Sequence, residues 1–374
     1  MAWETQFEAP DLQEALRNGN AESLLREAHR LMSIGQRAQA LTVAQEIVVR
    51  YPRFQLGQLL FADLLSLVAQ EPFDPLPASA DGVHPSIQRV KQLNEEAHVR
   101  LSRPEAALYK NKVPEGLLFL SNKLPFLIVV DASHSRLYVL THDVSAGTPK
   151  ADGGLRVIYD AYMSVGQRGM GKQQRGDAKT PLGVYFTQKS YPGHVLPDLY
   201  GAGAVTLNYP NDLDLLDGKT GSGIWIHGSP SDQYARAPEA TDGCVVLANP
   251  DMQWLMGLQL PAGTPVLIQS QINWVEPRQN KVLRDQWAQQ NPFLRDQKQN
   301  DVLALIAWTR GSQKMVASLS LDAQASDKRQ SNLFPQYWIQ REQVWSVVPP
   351  KMLEDARSSR LNALAPLANR QMVR

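Results

Sequence analysis

The sequence predicts a mainly β domain between an N-terminal helical region and a small C-terminal α+β unit. Three observations carry this. Apolar residues recur at intervals of three and four through residues 21–68, eight short β-rich runs fill residues 120–272, and beyond Trp274 helical stretches precede strands instead of alternating with them. At roughly 100–200 residues per domain, 374 residues make two or three domains.

The helical pattern starts with Leu24, Leu25, Ala28, Leu31 and Met32, and continues with Ala40, Leu41, Ala44, Ile47 and Val48. Gly35 separates the two runs, Pro52 follows the second, and a third helix is expected over Phe54–Val68. Leu24, Ala28, Leu31, Gly35, Ala40 and Pro52 stand where a tetratricopeptide repeat has its signature residues. A single repeat cannot bury its own faces. It is therefore either a helical cap on the main domain, a homodimer surface, or a groove for a protein partner.

Four prolines between Glu71 and Pro85 mark a linker, and an amphipathic helix follows over Ser86–Leu101. The β series opens with a hairpin, Phe126–Val130 and Leu137–Leu140 around the turn residues Asp131–Ser135. It continues at Arg156–Val165, Gly183–Gln188, Ala204–Asn208, Gly223–His227, Cys244–Leu247 and Thr264–Gln269, with one helix at Pro250–Leu258. Beyond it, helices are expected at Gln279–Gln290 and Leu294–Leu305, and strands at Met315–Leu321 and Tyr337–Val348. The expected divisions are 1–72 helical, 73–119 linker and helix, 120–272 β domain, 275–350 accessory α+β unit and 351–374 tail.

With 38 basic and 37 acidic residues, the net charge of +1 gives no global electrostatic case for nucleic acid or a membrane surface. No apolar run approaches the ~20 residues of a membrane-spanning helix. Met1–Pro10 is acidic and polar, unlike a secretory leader, so the protein is either cytosolic or has lost its leader. One cysteine excludes an intrachain disulfide and a thiolate zinc cluster, and no cofactor is expected.

The stretch from Gly223 to Met252 holds the chemistry. One strand ends in His227-Gly228; after a polar loop, Asp242-Gly243-Cys244 leads into the next. Neighbouring strand ends could bring an imidazole to a thiol seventeen positions away, where it would act as base. Gly243 allows close backbone approach. The amides of Gly243 and Cys244 could then face a developing oxyanion, a contact worth roughly 3–4 kcal/mol. The plainer alternative is that Cys244 is a small buried hydrophobe. Other motifs fail: Leu213 stands where Gly218-Lys219-Thr220 would need the first glycine of a phosphate loop, Thr206 replaces the third glycine of a dinucleotide fingerprint, and Gly-x-Ser-x-Gly does not occur. His194, in a Pro/Gly-rich loop, reads as a solvated side chain.

His227-Gly228, a loop, then Gly243-Cys244-Val245 resembles the signature of the L,D-transpeptidase (YkuD-type) catalytic domain. Lys179-Thr180-Pro181-Leu182-Gly183-Val184-Tyr185 resembles its Thr-Pro-x-Gly segment. Leu207–Asn211 and Gly218–Gly228 are similar to a subgroup holding the shape-determining L,D-carboxypeptidases of curved bacteria and the enzymes that detach lipoprotein from peptidoglycan. The resemblance covers about residues 120–272. It implies an L,D-transpeptidase-like β-sandwich in which Cys244 attacks a meso-diaminopimelate carbonyl of a peptidoglycan stem peptide, His227 is base and then acid, and the Gly228 carbonyl orients the imidazole. Tyr209, Asn211, Trp225 and Ser229, flanking these motifs, are expected to contact substrate. Arg236 either contributes substrate charge or is a solvated loop residue.

Val246 departs from the pattern, since many crosslinking members carry Arg there. That fits L,D-carboxypeptidase hydrolysis, trimming tetrapeptide to tripeptide, better than L,D-transpeptidase 3–3 crosslinking or lipoprotein exchange. The alternative of another class is an inactive peptidoglycan-binding scaffold. The carboxypeptidase subgroup also implies a nuclear-transport-factor-like unit over 275–350. A peptidoglycan substrate implies a periplasmic protein whose signal segment has been removed.

Overall fold

The computed structural model describes residues 16–17, 19–69, 85–145, 148–149, 154–290, 302–321, 333–341 and 344–349. The expected tail and nearly all of the expected linker lie outside these residues.

Helices α1 (Ala21–Ser33), α2 (Arg37–Arg50) and α3 (Gln55–Ala69) follow the sequence periodicity. The Asn20 side chain caps α1 by accepting from the Ser23 amide at 2.8 Å. Leu24, Ala28, Leu31, Ala40, Ala44 and Ile47 form one core with Phe54, Leu56 and Leu64. A fourth helix, α4 (Pro85–Leu101), adds Leu93 to it.

Strands β1 (Val113–Pro114), β2 (Leu117–Leu120), β3 (Phe126–Asp131), β4 (Arg136–His142), β5 (Val144–Ser145) and β6 (Thr148–Pro149) come next. They are followed by β7 (Leu155–Gly166), β8 (Gly183–Pro192), β9 (Gly203–Leu207), the short helix α5 (Asp212–Leu216), β10 (Trp225–Gly228), β11 (Glu239–Thr241) and β12 (Val245–Leu247). Helix α6 (Asn249–Gly257), β13 (Pro265–Gln269), β14 (Trp274–Val275) and α7 (Pro277–Gln290) lead to a meander of β15 (Val302–Arg310), β16 (Gln313–Leu321), β17 (Leu333–Arg341) and β18 (Val344–Val347).

The main sheet has the order β11-β7-β12-β10-β9-β8-β13-β3-β4, and β4 pairs back onto β7. The long β7 makes this possible: its first part pairs with β4, while Met163 and Ser164 pair with β12. Eight strands thus close around one core, which includes Ile128, Val130, Val139, Met163, Ile226, Val245 and Ile268. On β3, β4 and β13 the alternate residues Leu127, Val129, Tyr138, Leu140 and Leu267 face outward. They share a second core with Ile306, Met315, Ala317 and Tyr337 of the C-terminal sheet. Both faces of β3 are covered, which is why its sequence is a continuous apolar run rather than an alternating one.

The C-terminal sheet is β18-β17-β16-β15-β2. Here the structure corrects one expectation. Of the helix expected at Leu294–Leu305, residues 302–305 belong to β15, and the rest lies outside the described residues. Val302–Trp308 is apolar on every face, so periodicity cannot separate helix from strand. Partners on both sides decide: β16 on one edge and β2 on the other. Strand β2 itself arises within the stretch read as linker and helix.

The helical region meets the barrel through buried charge. Arg136 of β4 donates to both Glu22 oxygens at 2.7 and 2.8 Å and to Asp160 at 2.5 Å. Arg100 pairs with Glu22 and Glu96 at 3.0 and 2.8 Å, and Arg103 with Asp160 at 2.6 Å.

Candidate active site

Parallel pairing of β10 with β12 places His227 beside Val246, so Cys244 lies just before β12, level with Trp225. Asp242-Gly243-Cys244 is held from both sides. Thr241 Oγ1 donates to the Cys244 carbonyl at 2.7 Å and accepts from the Gly243 amide at 3.0 Å. Thr180 Oγ1, from the Thr-Pro-x-Gly segment, accepts from Gly166 N and donates to the Gly243 carbonyl, both at 2.9 Å. Gly243 has φ +121°, and a Cβ there would lie 2.5 Å from the Lys179 carbonyl oxygen, so only glycine fits.

His227 is buried, and its Nδ1 lies 2.7 Å from the Gly228 carbonyl. A carbonyl can only accept, so in the neutral ring the proton sits on Nδ1 and Nε2 is left as a base. A Cβ at Gly228 would fall 2.3 Å from Asn249 Oδ1 and 2.9 Å from the Ala202 backbone nitrogen, so a larger residue would displace the Asn249 side chain or the chain itself. That side chain also accepts from the Ala202 amide at 2.8 Å and donates to the Ser229 carbonyl at 2.9 Å, fixing the chain behind the histidine.

Burial lowers the His227 pKa to about 4; Arg236 acts in the same direction and the Gly228 carbonyl opposes both. Burial pushes the Cys244 thiol up. The backbone hydrogen bond from Trp225 and the charges of Lys172 and Arg236 oppose that shift, and Asp242 adds to it. The resting pair near neutral pH is therefore thiol and neutral imidazole rather than thiolate and imidazolium. An aromatic wall flanks it. Tyr200 meets the His227 ring edge-on at 5.1 Å and Trp225 at 4.8 Å, and Tyr191 stacks on Trp225 at 6.2 Å.

The expected substrate contacts divide. Trp225 is half-buried within this wall, and Arg236 is half-buried with Nη1 donating to the Ala240 carbonyl at 3.2 Å. Tyr209, Asn211 and Ser229 are buried and bonded internally. Tyr209 donates to the Thr220 carbonyl at 3.1 Å, Asn211 caps α5 through Asp214, and Ser229 donates to the Leu247 carbonyl at 2.9 Å. The Gly243 amide, expected to face an oxyanion, is already committed to Thr241. Lys219 is a buried ion pair with Asp214 at 2.7 Å, and His194 is exposed.

Sequence reasoning missed Tyr191, Tyr200, Asn249 and Thr241. Tyr191 and Tyr200 carry no motif; Tyr191 reaches Trp225 through the pairing of β8, β9 and β10, and Tyr200 reaches His227 from the turn between β8 and β9. Thr241 did carry a signal, as a hydroxyl two positions before a glycine. Among the described residues, no group of three His, Cys, Asp or Glu could hold a metal ion.

The model of one family, the L,D-transpeptidase catalytic domain (YkuD), matches residues 125–268. No curated protein matches the chain. Among solved structures, Bd1075 of Bdellovibrio bacteriovorus is 21% identical over 63% of this chain and 96% of its own, with a TM-score of 0.46. The helical cell shape determining protein Pgp2 of Campylobacter jejuni is 16% identical over 64% and 94%, with a TM-score of 0.42. An L,D-transpeptidase from Mycobacterium smegmatis is 16% identical over 39% and 58%, with a TM-score of 0.24.

Proposed function

Because residues 125–268 are an L,D-transpeptidase catalytic domain of the YkuD family, we propose that the protein is a cysteine enzyme of peptidoglycan. In this reading it is an L,D-carboxypeptidase, acting at the L-centre of diaminopimelate and trimming tetrapeptide stems to tripeptides. The observation that carries the reading is His227 pinned through Nδ1 to the Gly228 carbonyl, on the strand paired with the one that follows Cys244.

Catalysis starts from the neutral pair. Nε2 of His227 takes the thiol proton as Sγ attacks the diaminopimelate carbonyl, so the thiolate forms only as the new C–S bond does. The imidazolium then returns the proton to the departing amine of D-Ala. Water, deprotonated by the same Nε2, cleaves the thioester and regenerates the thiol. The Gly228 carbonyl orients the ring and stabilises its charged form, as a carboxylate does in other triads. Val246 is buried and offers no cationic fork for a second stem, which supports water as acceptor. We read residues 275–350 as a nuclear-transport-factor-like unit, and the helical region as a tetratricopeptide-like cap, because Tyr234 and the Glu22–Arg136 pair tie it to the barrel. The substrate places the protein in the periplasm. No helix among the described residues is long and apolar enough to cross a membrane.

Incubation with tetrapeptide muropeptides should release D-Ala and leave tripeptides, and Cys244→Ala should abolish the release. Dimeric or lipoprotein-linked products would replace hydrolysis with transfer; the absence of any product would leave the scaffold alternative. With His227 near 4, the base stays neutral on acidification, so kcat/KM should hold to well below pH 6. An acid limb centred at 6.5 would contradict the buried, neutral imidazole.

A further inference from the structure

The chain between His227 and Cys244 is not held by the barrel alone. At its midpoint Tyr234 leaves the barrel surface and packs into the core of the helical region. Its ring lies 5.4 Å from Tyr51 and 4.8 Å from Phe54, in the turn joining α2 to α3. The backbones are tied in both directions there. The Tyr234 amide donates to the Arg53 carbonyl at 3.3 Å, and the Arg53 guanidinium donates back to the Ser231 carbonyl.

Two residues beyond Tyr234 comes Arg236, the cation of this loop. Its backbone carbonyl accepts from the Tyr162 hydroxyl at 2.7 Å, and Arg100 of α4 lies 3.7 Å over the Tyr162 ring. Its side chain reaches back to the Ala240 carbonyl, with Nε buried and without a hydrogen-bond partner. The helical region therefore supports the loop at both Tyr234 and Arg236.

We infer that the turn between α2 and α3 is a working part of the active site: Tyr51, Arg53 and Phe54 grip Tyr234, and Tyr234 is the positioning residue that holds Arg236 on the Ala240 carbonyl, in the chain that runs into Asp242-Gly243-Cys244. This rests on reading Cys244 as the nucleophile. A loop held only by its ends would sample many conformations. An aromatic anchor removes that freedom, and displacements of about 1 Å can cost 10²-fold in rate.

The test uses the single cysteine as its own reporter, in the full chain and without substrate. Iodoacetamide alkylates the thiolate, so the pH of half-maximal rate reads the charge around Cys244: Asp242 beside it, Lys172 and Arg236 from the adjoining loops, and His227 on β10. Arg236→Gln should move that point upward by roughly 0.5–1 pH unit, because a cation favouring the thiolate is lost. Tyr234→Ala should move it the same way, and Tyr234→Phe should restore the wild-type profile. The double variant should shift no further than Arg236→Gln alone, since Tyr234 acts through Arg236.

A wild-type profile in folded Tyr234→Ala, or additive shifts in the double variant, would overturn the inference; so would an unchanged profile in Arg236→Gln. If Tyr234→Ala does not fold, Arg53→Ala decides: an upward shift supports the grip, and a wild-type profile removes it. D-Ala release is not part of this readout, so the carboxypeptidase reading and the positioning role fail separately.

Discussion

The two flanking units join the same barrel by opposite physics. The C-terminal sheet shares an apolar core with it, in which Ile306, Met315 and Tyr337 interdigitate with Leu127, Tyr138 and Leu267. The helical region joins through a buried network of Glu22, Arg100, Arg103, Arg136 and Asp160, and through Tyr234. Apolar contact is non-directional and tolerates small changes of shape. Buried charge requires every partner in place, because an uncompensated ion costs far more than a missing methyl group. The directional joint is the one that adjoins the loop between His227 and Cys244.

Arg136→Ala tests the contrast most severely. It takes the guanidinium from two buried carboxylates and should cost about 3–5 kcal/mol in urea unfolding, with the helical signal lost first. A loss no larger than that of a single core methyl group would break the comparison.

Acid should loosen the same joint. Burial raises the Glu22 pKa, but Arg136, Arg100 and Arg103 more than reverse this and hold the carboxyl below the usual range; Asp160 behaves likewise through Arg136 and Arg103. Carboxyls depressed in the folded state contribute stability that is full above their unfolded pKa values, ~4.3 and ~3.9, and is lost as pH falls through the folded ones. Glu96, raised by burial, runs the other way. Stability measured from pH 5 downward should therefore fall less steeply in Glu22→Gln than in the wild type.

Ile306→Val, in the shared apolar core, should cost only about 0.5–1.5 kcal/mol and be insensitive to pH. The smallest effect belongs to Asp217→Asn. It removes the partly exposed pair with Arg310 at 2.5 Å and should change stability by less than about 1 kcal/mol, vanishing in high salt.

Much of this could be read along the chain. The helices over residues 21–69 and the eight strands of the barrel were legible because each carries its own period or its own turn residues. Gly243 was legible as a site of close backbone approach, but the neighbour is the Lys179 carbonyl and not a substrate. β15 was not, because its sequence is apolar on every face. β2 was also missed, because a four-residue strand is defined by its partner. Tyr209, Asn211 and Ser229 show how little a neighbouring motif says about a side chain's own bonds. Polar residues beside a motif suggested substrate, whereas burial and internal hydrogen bonds make them supports.

The sequence alone determined that a histidine before glycine closes one strand and a lone cysteine after Asp-Gly leads into another, because residue type and spacing are local properties. Only the tertiary structure decided what state that pair is in and what holds it. Burial in the fold leaves His227 and Cys244 neutral near pH 7. The aromatic wall is assembled by strand pairing, and the Tyr234 anchor joins segments more than a hundred positions apart, a contact that no local pattern encodes.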